Sequence, residues 1–272
     1  MTTSRPLAPR NARVKHLAEL ARRRPARAAE GAFVVEGPKL VLEALDAGLA
    51  LLEVFATAEA VGGEALAACE ALGVPVWEVP ADALRRALDV VTPQPVAAVV
   101  RVPAVESADR ALAVSDLALG LLDVSDPGNA GTLMRTAEAA GAGAVVLGGC
   151  SVDPFSPKSV RASAGAVFRI PVVVESDNVT ALERMGAAGL RRVGTRAGAG
   201  TDYDRADLTG RVAIVLGSEA HGLPGSLGAL LDETVAIPMA GPTESLNVAA
   251  AGAVVCFEVL RQRRAAARAA RP

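Results

Sequence analysis

Three polar stretches hold the residues that could do chemistry. Residues 123–141 read DVSDPGNAGTLMRTAEAAG, residues 212–224 read VAIVLGSEAHGLP, and residues 237–258 read IPMAGPTESLNVAAAGAVVCFE. In the first, Asn129 lies at a turn that can cap a helix, and Arg135 follows one and a half turns later. A guanidinium keeps its proton above a pKa of about 12, so Arg135 is suited to clamping a phosphate rather than to acting as a free base. In the second, Glu219 follows a strand-to-loop Gly-Ser and could hold Asn129 or Arg135 by a charge-assisted contact. In the third, a strand end is followed by a turn at Gly241 and Pro242, and then by a helix. Glu244 and Ser245 sit where a helix start favours an anion and a hydroxyl cap. The helix after Asn247 is rich in small residues, which suits either an alanine-rich core helix or close approach by another backbone. Exposed peptide groups at such a turn are equipment for holding the hydrogen-bonding edge of a neutral ligand, or a carboxylate.

Other chemistries find less support. No G-x-G-x-x-G fingerprint follows a strand, and no Walker A sequence occurs. Ser218 and His221 lie close in sequence, but no G-x-S-x-G elbow surrounds the serine. Cys69, Cys150 and Cys256 are far apart and without clustered histidines, which argues against a metal site or a disulfide framework and fits a reducing, cytoplasmic setting.

In order and spacing, the three stretches closely resemble the motifs of the SpoU (TrmH) family of RNA ribose 2′-O-methyltransferases. The matching residues are Asn129, Gly131 and Arg135, then Leu216, Gly217, Ser218, Glu219 and Gly222, then Ile237, Pro238, Met239, Ser245, Leu246 and Asn247. The resemblance implies S-adenosylmethionine as methyl donor, RNA as substrate, no metal, and a homodimer. It implies a catalytic group of Asn129, Arg135, Glu219, Ser245 and Asn247, in which the arginine helps to deprotonate the ribose 2′-hydroxyl and reaches the partner subunit's pocket. It also implies a cofactor pocket built from Gly217, Ile237, Met239 and Leu246, with Thr195 at the end of a neighbouring strand. Gly217 would be required because a side chain there would fill the pocket. Residues 156–172, SPKSVRASAGAVFRIPV, resemble another stretch of the family. Here Arg161 reads as an RNA-phosphate contact, with a structural ion pair as the alternative, and Lys158 is a second RNA-binding candidate.

The elements that must position these residues alternate in type. Residues 1–103 read as a smaller α/β domain with strands at 32–35, 51–56, 74–79 and 96–102 and helices between them. Asn11 caps a first helix that Pro25 ends. In the family this part resembles an L30e-like substrate-binding domain. Residues 104–115 read as a linker, and 116–272 as the methyltransferase domain. In the latter, continuous Val/Ile/Leu runs between helices predict a parallel sheet covered on both faces. The resemblance adds a deep trefoil knot, which periodicity does not reveal.

Composition sets outer bounds. A chain of 272 residues with 51% hydrophobic residues can bury two cores. Its apolar runs fall short of the ~20 residues of a membrane-spanning helix, and no apolar h-region follows the charged N-terminus. The net charge of −2 excludes a uniformly basic surface. Basic residues are nevertheless concentrated at both ends, at Arg5, Arg10, Arg13, Lys15, Arg22, Arg23, Arg24 and Arg27, and at Arg261, Arg263, Arg264, Arg268 and Arg271. A local patch is what RNA binding requires, and Arg22, Arg23 and Arg24 are the candidates. The family resemblance, with its L30e-like domain, implies large-subunit ribosomal RNA as the substrate. Transfer RNA, an antibiotic-resistance methylation, and a non-catalytic ribosome-assembly role are the alternatives.

Overall fold

The computed structural model describes residues 7–270, so Arg5 and Arg271 of the two basic clusters lie outside the described residues. The chain forms two compact units. The first contains the chain up to Pro103 together with Phe155–Phe168. Its elements are α1 (Ala12–Arg22), α2 (Arg24–Glu30), β1 (Ala32–Glu36), α3 (Pro38–Asp46), β2 (Leu51–Ala56), α4 (Glu64–Ala71), β3 (Val76–Glu78), α5 (Ala81–Leu88) and β4 (Val96–Arg101). The sheet order is β1-β4-β2-β3, antiparallel except for the β2–β3 pair. Asn11 caps α1 as the sequence predicts, its side chain accepting from the Arg13 N–H at 2.9 Å. Pro25 does not simply end that helix. The chain breaks at Arg23, and Pro25 falls in the first turn of α2, where a missing N–H costs nothing. Val14, Leu17 and Leu20 pack with Phe55, Leu84 and Val99 in the core of this unit.

The second unit contains Ala104–Pro154 and the chain from Arg169 onward. It opens with α6 (Val105–Val114), so the stretch expected to be a linker is a helix. Then come β5 (Leu117–Leu122), α7 (Pro127–Ala139) and β6 (Ala144–Gly148). The chain next forms α8 (Pro157–Ser163) and α9 (Ala166–Arg169), and continues through β7 (Val172–Val174), α10 (Asn178–Ala187), β8 (Arg191–Thr195), β9 (Thr201–Asp202), β10 (Val212–Leu216), β11 (Glu233–Ala236) and α11 (Val248–Ala269). All strand pairs are parallel, in the order β7-β6-β5-β10-β8-β11-β9. Every residue of β5, β6 and β10 is buried, the burial expected of central parallel strands covered on both faces. The sequence pattern did not mark β9, which has only two residues.

Sequence reading assigned residues 155–168 to the methyltransferase domain, whereas they pack within the first unit. There the Phe33 ring lies 5.1 Å from that of Phe155 and 6.1 Å from that of Phe168. No helix among the described residues is long and apolar enough to cross a membrane.

Candidate active site

The site begins with two helix caps. Asp126 precedes Pro127 and accepts from the Asn129 N–H at 2.8 Å, which fixes the first turn of α7 and leaves the Asn129 side chain free. At α11 the cap is Asn247, whose side-chain oxygen accepts from the Ala249 N–H at 2.9 Å and the Ala250 N–H at 3.4 Å. The expected cap near Glu244 and Ser245 is therefore displaced to Asn247, and residues 241–247 are extended or turn-like rather than helical.

The two capped termini meet through a third residue. Asn129 Nδ2 donates to Glu219 Oε1 at 3.1 Å, and Asn247 Nδ2 donates to Asn129 Oδ1 at 3.0 Å. Glu219 also accepts from the backbone N–H groups of Ser125 at 3.2 Å and Asp126 at 3.1 Å. One residue from each of the three motifs thus forms a continuous chain, Glu219–Asn129–Asn247. Burial opposes the charge on Glu219, but the Asn129 amide and the backbone donors outweigh it and hold its carboxyl below the usual range. The carboxylate is thereby kept ionised as an acceptor.

Beside this chain lies a cleft of about 530 Å³ at the carboxyl ends of β8, β10 and β11. Ligand sites in parallel sheets recur at this end of the strands, and the size is within the range of about 300–1,000 Å³ for small-molecule sites. The expected cofactor residues Thr195, Gly217, Ile237, Met239 and Leu246 all border the cleft, as do Ser245 and Glu219. Thr195 also donates its hydroxyl to the Val215 carbonyl at 3.3 Å, which ties β8 to β10. A Cβ at Gly217 would lie 2.1–2.3 Å from backbone atoms of Gly222 and Leu223. The glycine is therefore required by the turn that folds back over it, which corrects the expectation that a side chain would merely fill the pocket. That turn is closed by paired backbone hydrogen bonds between Ser218 and Gly222.

Other residues fall elsewhere. Arg135 is exposed on α7 and does not border the cleft, and its side chain makes no hydrogen bond or ion pair among the described residues. The His221 backbone N–H, not its ring, bonds Ser218 Oγ at 3.2 Å, so the pair is not arranged as base and nucleophile. In the first unit, Arg161 Nη1 contacts the buried Glu36 carboxylate at 2.6 Å, which favours the ion-pair reading over a free phosphate contact. Lys158 is exposed. Arg22, Arg23 and Arg24 are exposed, with Arg22 donating to the Arg86 carbonyl. Arg196 and Glu244 also border the cleft. Glu244 was visible in the sequence only as a helix-start anion, and Arg196 carried no signal beyond its place after Thr195.

A parallel sheet carries a ligand cleft at its strand ends, flanked by an asparagine–glutamate chain drawn from three motifs, which is the layout of an α/β enzyme that binds a small molecule. Residues 116–257 match the SpoU rRNA methylase family, and residues 11–98 match the MRM3-like substrate binding domain. The chain belongs to the SpoU rRNA methylase family. It is 32% identical over 227 residues to the 23S rRNA (guanosine(2553)-2′-O)-methyltransferase RlmP of Bacillus subtilis, covering 84% of this chain and 88% of that one. It is 37% identical over 177 residues to a 23S rRNA (uridine(2479)-2′-O)-methyltransferase of Streptomyces viridochromogenes, covering 63% and 61%. Among solved structures, the SpoU methyltransferase AviRb from Streptomyces viridochromogenes in complex with AdoMet superposes with a TM-score of 0.83 at 29% identity, covering 94% of this chain and all of that one. An AdoMet-bound rRNA methyltransferase from Sinorhizobium meliloti gives 0.80 at 32% identity, covering 92% and 95%.

Proposed function

We propose that the protein methylates a ribose 2′-hydroxyl of 23S ribosomal RNA, with S-adenosylmethionine as donor. The observation that carries this reading is the Glu219–Asn129–Asn247 chain beside a cleft of cofactor size. The cleft fits the donor chemically. Apolar side chains of Leu216, Ile237 and Leu246 can cover an adenine face, and backbone groups at the ends of β10 and β11 can meet its polar edge. When bound, the donor supplies a methyl group already activated on a sulfonium. The protein has then to align and deprotonate the hydroxyl, and orientation is its main contribution. Asn129 and Asn247 hold the polar rim in one arrangement, Glu219 fixes Asn129, and Ser245 borders the same space. Arg135 binds the phosphate next to the target ribose and orients the 2′-hydroxyl toward the methyl group.

The two rRNA relatives carry a guanosine and a uridine in their names, and what they share is the ribose. That supports a ribose hydroxyl as the target. The first unit, with its match to a substrate binding domain, is assigned to RNA capture. The knot belongs to the same reading, with α11 threaded to lie against α7 and β10. The same reading makes the active form a homodimer, in which Arg135, exposed and away from its own cleft, reaches the cleft of the other subunit. The enzyme acts in the cytoplasm, where ribosomal RNA is assembled.

The test is methyl transfer from labelled S-adenosylmethionine to ribosomal RNA from cells lacking the gene, followed by mapping of 2′-O-methyl sites. Incorporation at one ribose is expected. Incorporation into transfer RNA alone, or into a base, would overturn the assignment. Cofactor binding without transfer to any RNA would favour a non-catalytic role.

A further inference from the structure

We propose that Arg196 recognises the carboxylate on the amino-acid tail of the cofactor and so sets the preference of the cleft for tailed over tail-less adenosines. This rests on the cofactor reading given above. Arg196 follows the last residue of β8, and its backbone N–H donates to the Val235 carbonyl at 2.9 Å, so its Cα is fixed by the sheet. Its side chain borders the cleft. The guanidinium is nevertheless poorly satisfied. Nη2 reaches the Pro224 carbonyl only at 3.4 Å, and Nε is buried with no hydrogen-bond partner among the described residues. No carboxylate forms an ion pair with it among the described residues. Of the glutamates that border the cleft, Glu219 is engaged by Asn129 and the α7 terminus, and Glu244 is exposed and makes no ion pair with Arg196.

A guanidinium with unspent donors facing a ligand cleft is a receptor for a planar anion. The parts of the cofactor narrow the choice. Adenine and ribose are neutral, and the sulfonium and the amino group are cationic, so the carboxylate is the one group that can pair with Arg196. Ala197 and Ala199, which border the same side, leave room for a tail to reach it.

Calorimetry with two probes tests this. S-adenosylhomocysteine carries the tail and 5′-methylthioadenosine lacks it. Arg196→Ala should weaken S-adenosylhomocysteine by about tenfold or more, as expected for loss of a charge-assisted contact, and leave 5′-methylthioadenosine within about twofold. Arg196→Lys should recover part of the loss, since it restores the charge without the fork. Equal weakening of both probes, in variants whose melting temperature is unchanged, would make Arg196 a support of the cleft and overturn the proposal. An unchanged affinity for S-adenosylhomocysteine would also overturn it, and weaker RNA binding by the same variant would then assign the guanidinium to a phosphate. Failure of the native protein to bind either probe would instead remove the cofactor reading, and this inference with it.

Discussion

Asn129 uses both ends of its amide, donating to Glu219 and accepting from Asn247, so each neighbour limits how the other can turn. Asn129→Ala removes both contacts but no cleft-bordering group. The expected result is a fall in kcat of about tenfold or more, the scale of one or two lost hydrogen bonds, with S-adenosylhomocysteine affinity within about threefold of native. A matching loss of affinity in calorimetry would show that Asn129 instead shapes the cleft. Glu219 adds a pH dependence. Its folded-state carboxyl titrates below the ordinary value of 4.5. The stability it contributes is therefore fully present above that value and is lost as pH falls through the lower folded value. Glu219→Gln should be less stable than native at neutral pH, by about 1 kcal/mol or less because the group is exposed. The gap in melting temperature should narrow as pH falls below 4.5. Melting curves whose gap stays constant into the acid range would remove Glu219 as the titrating group.

At the scale of elements, the glycines decide how closely the pieces approach. A Cβ at Gly252 would lie 2.3 Å from Leu133 Cδ2 and 2.8 Å from Leu216 Cδ1, so the small-residue face of α11 at Gly252 packs on α7 and β10 of its own chain. The sequence leaves open a core helix or close approach by another backbone, and the surfaces found there are α7 and β10. The pattern of small residues records proximity but not which surface supplies it. Gly252→Ala meets the ends of leucine side chains and should cost about 1–3 kcal/mol by urea unfolding. Gly217→Ala meets backbone, which yields less readily, and should displace the turn at 218–222 and weaken S-adenosylhomocysteine binding more than tenfold. Normal binding by Gly217→Ala would show that the turn can move without consequence. Most strands were legible because full burial writes continuous Val/Ile/Leu runs, as in LALGLL of β5. The α6 helix was not, since Glu106 and Ser107 in its first part, with Pro103 just before it, resemble a linker in composition. Nor was the placement of residues 155–168 in the first unit, which depends on Phe33 and Glu36, distant in sequence. Motif order placed the members of the asparagine–glutamate chain, but their pairing required the folded structure.

At the scale of the whole molecule, RNA capture and active-site assembly make separate demands. Arg22→Ala, Arg23→Ala and Arg24→Ala together should reduce the salt dependence of RNA affinity by at most about one slope unit per lost phosphate contact. A slope equal to native would leave these arginines as a solvated helix face. Active-site assembly is tested by complementation. Arg135 lies exposed on α7 and its side chain has no partner among the described residues, while Asn247 is tied to the network beside the cleft. If each active site combines Asn247 of one subunit with the other subunit's arginine, Arg135→Ala and Asn247→Ala homodimers should each be nearly inactive. A heterodimer of the two variants keeps one site with both native residues, and about half of native activity per dimer is expected by counting sites in a two-fold assembly. Differently tagged chains, co-expressed and purified as the heterodimer, allow that measurement with ribosomal RNA as methyl acceptor. A heterodimer as inactive as either parent, with native cofactor affinity and melting temperature, would mean that each subunit completes its own site or that the two sites work only together.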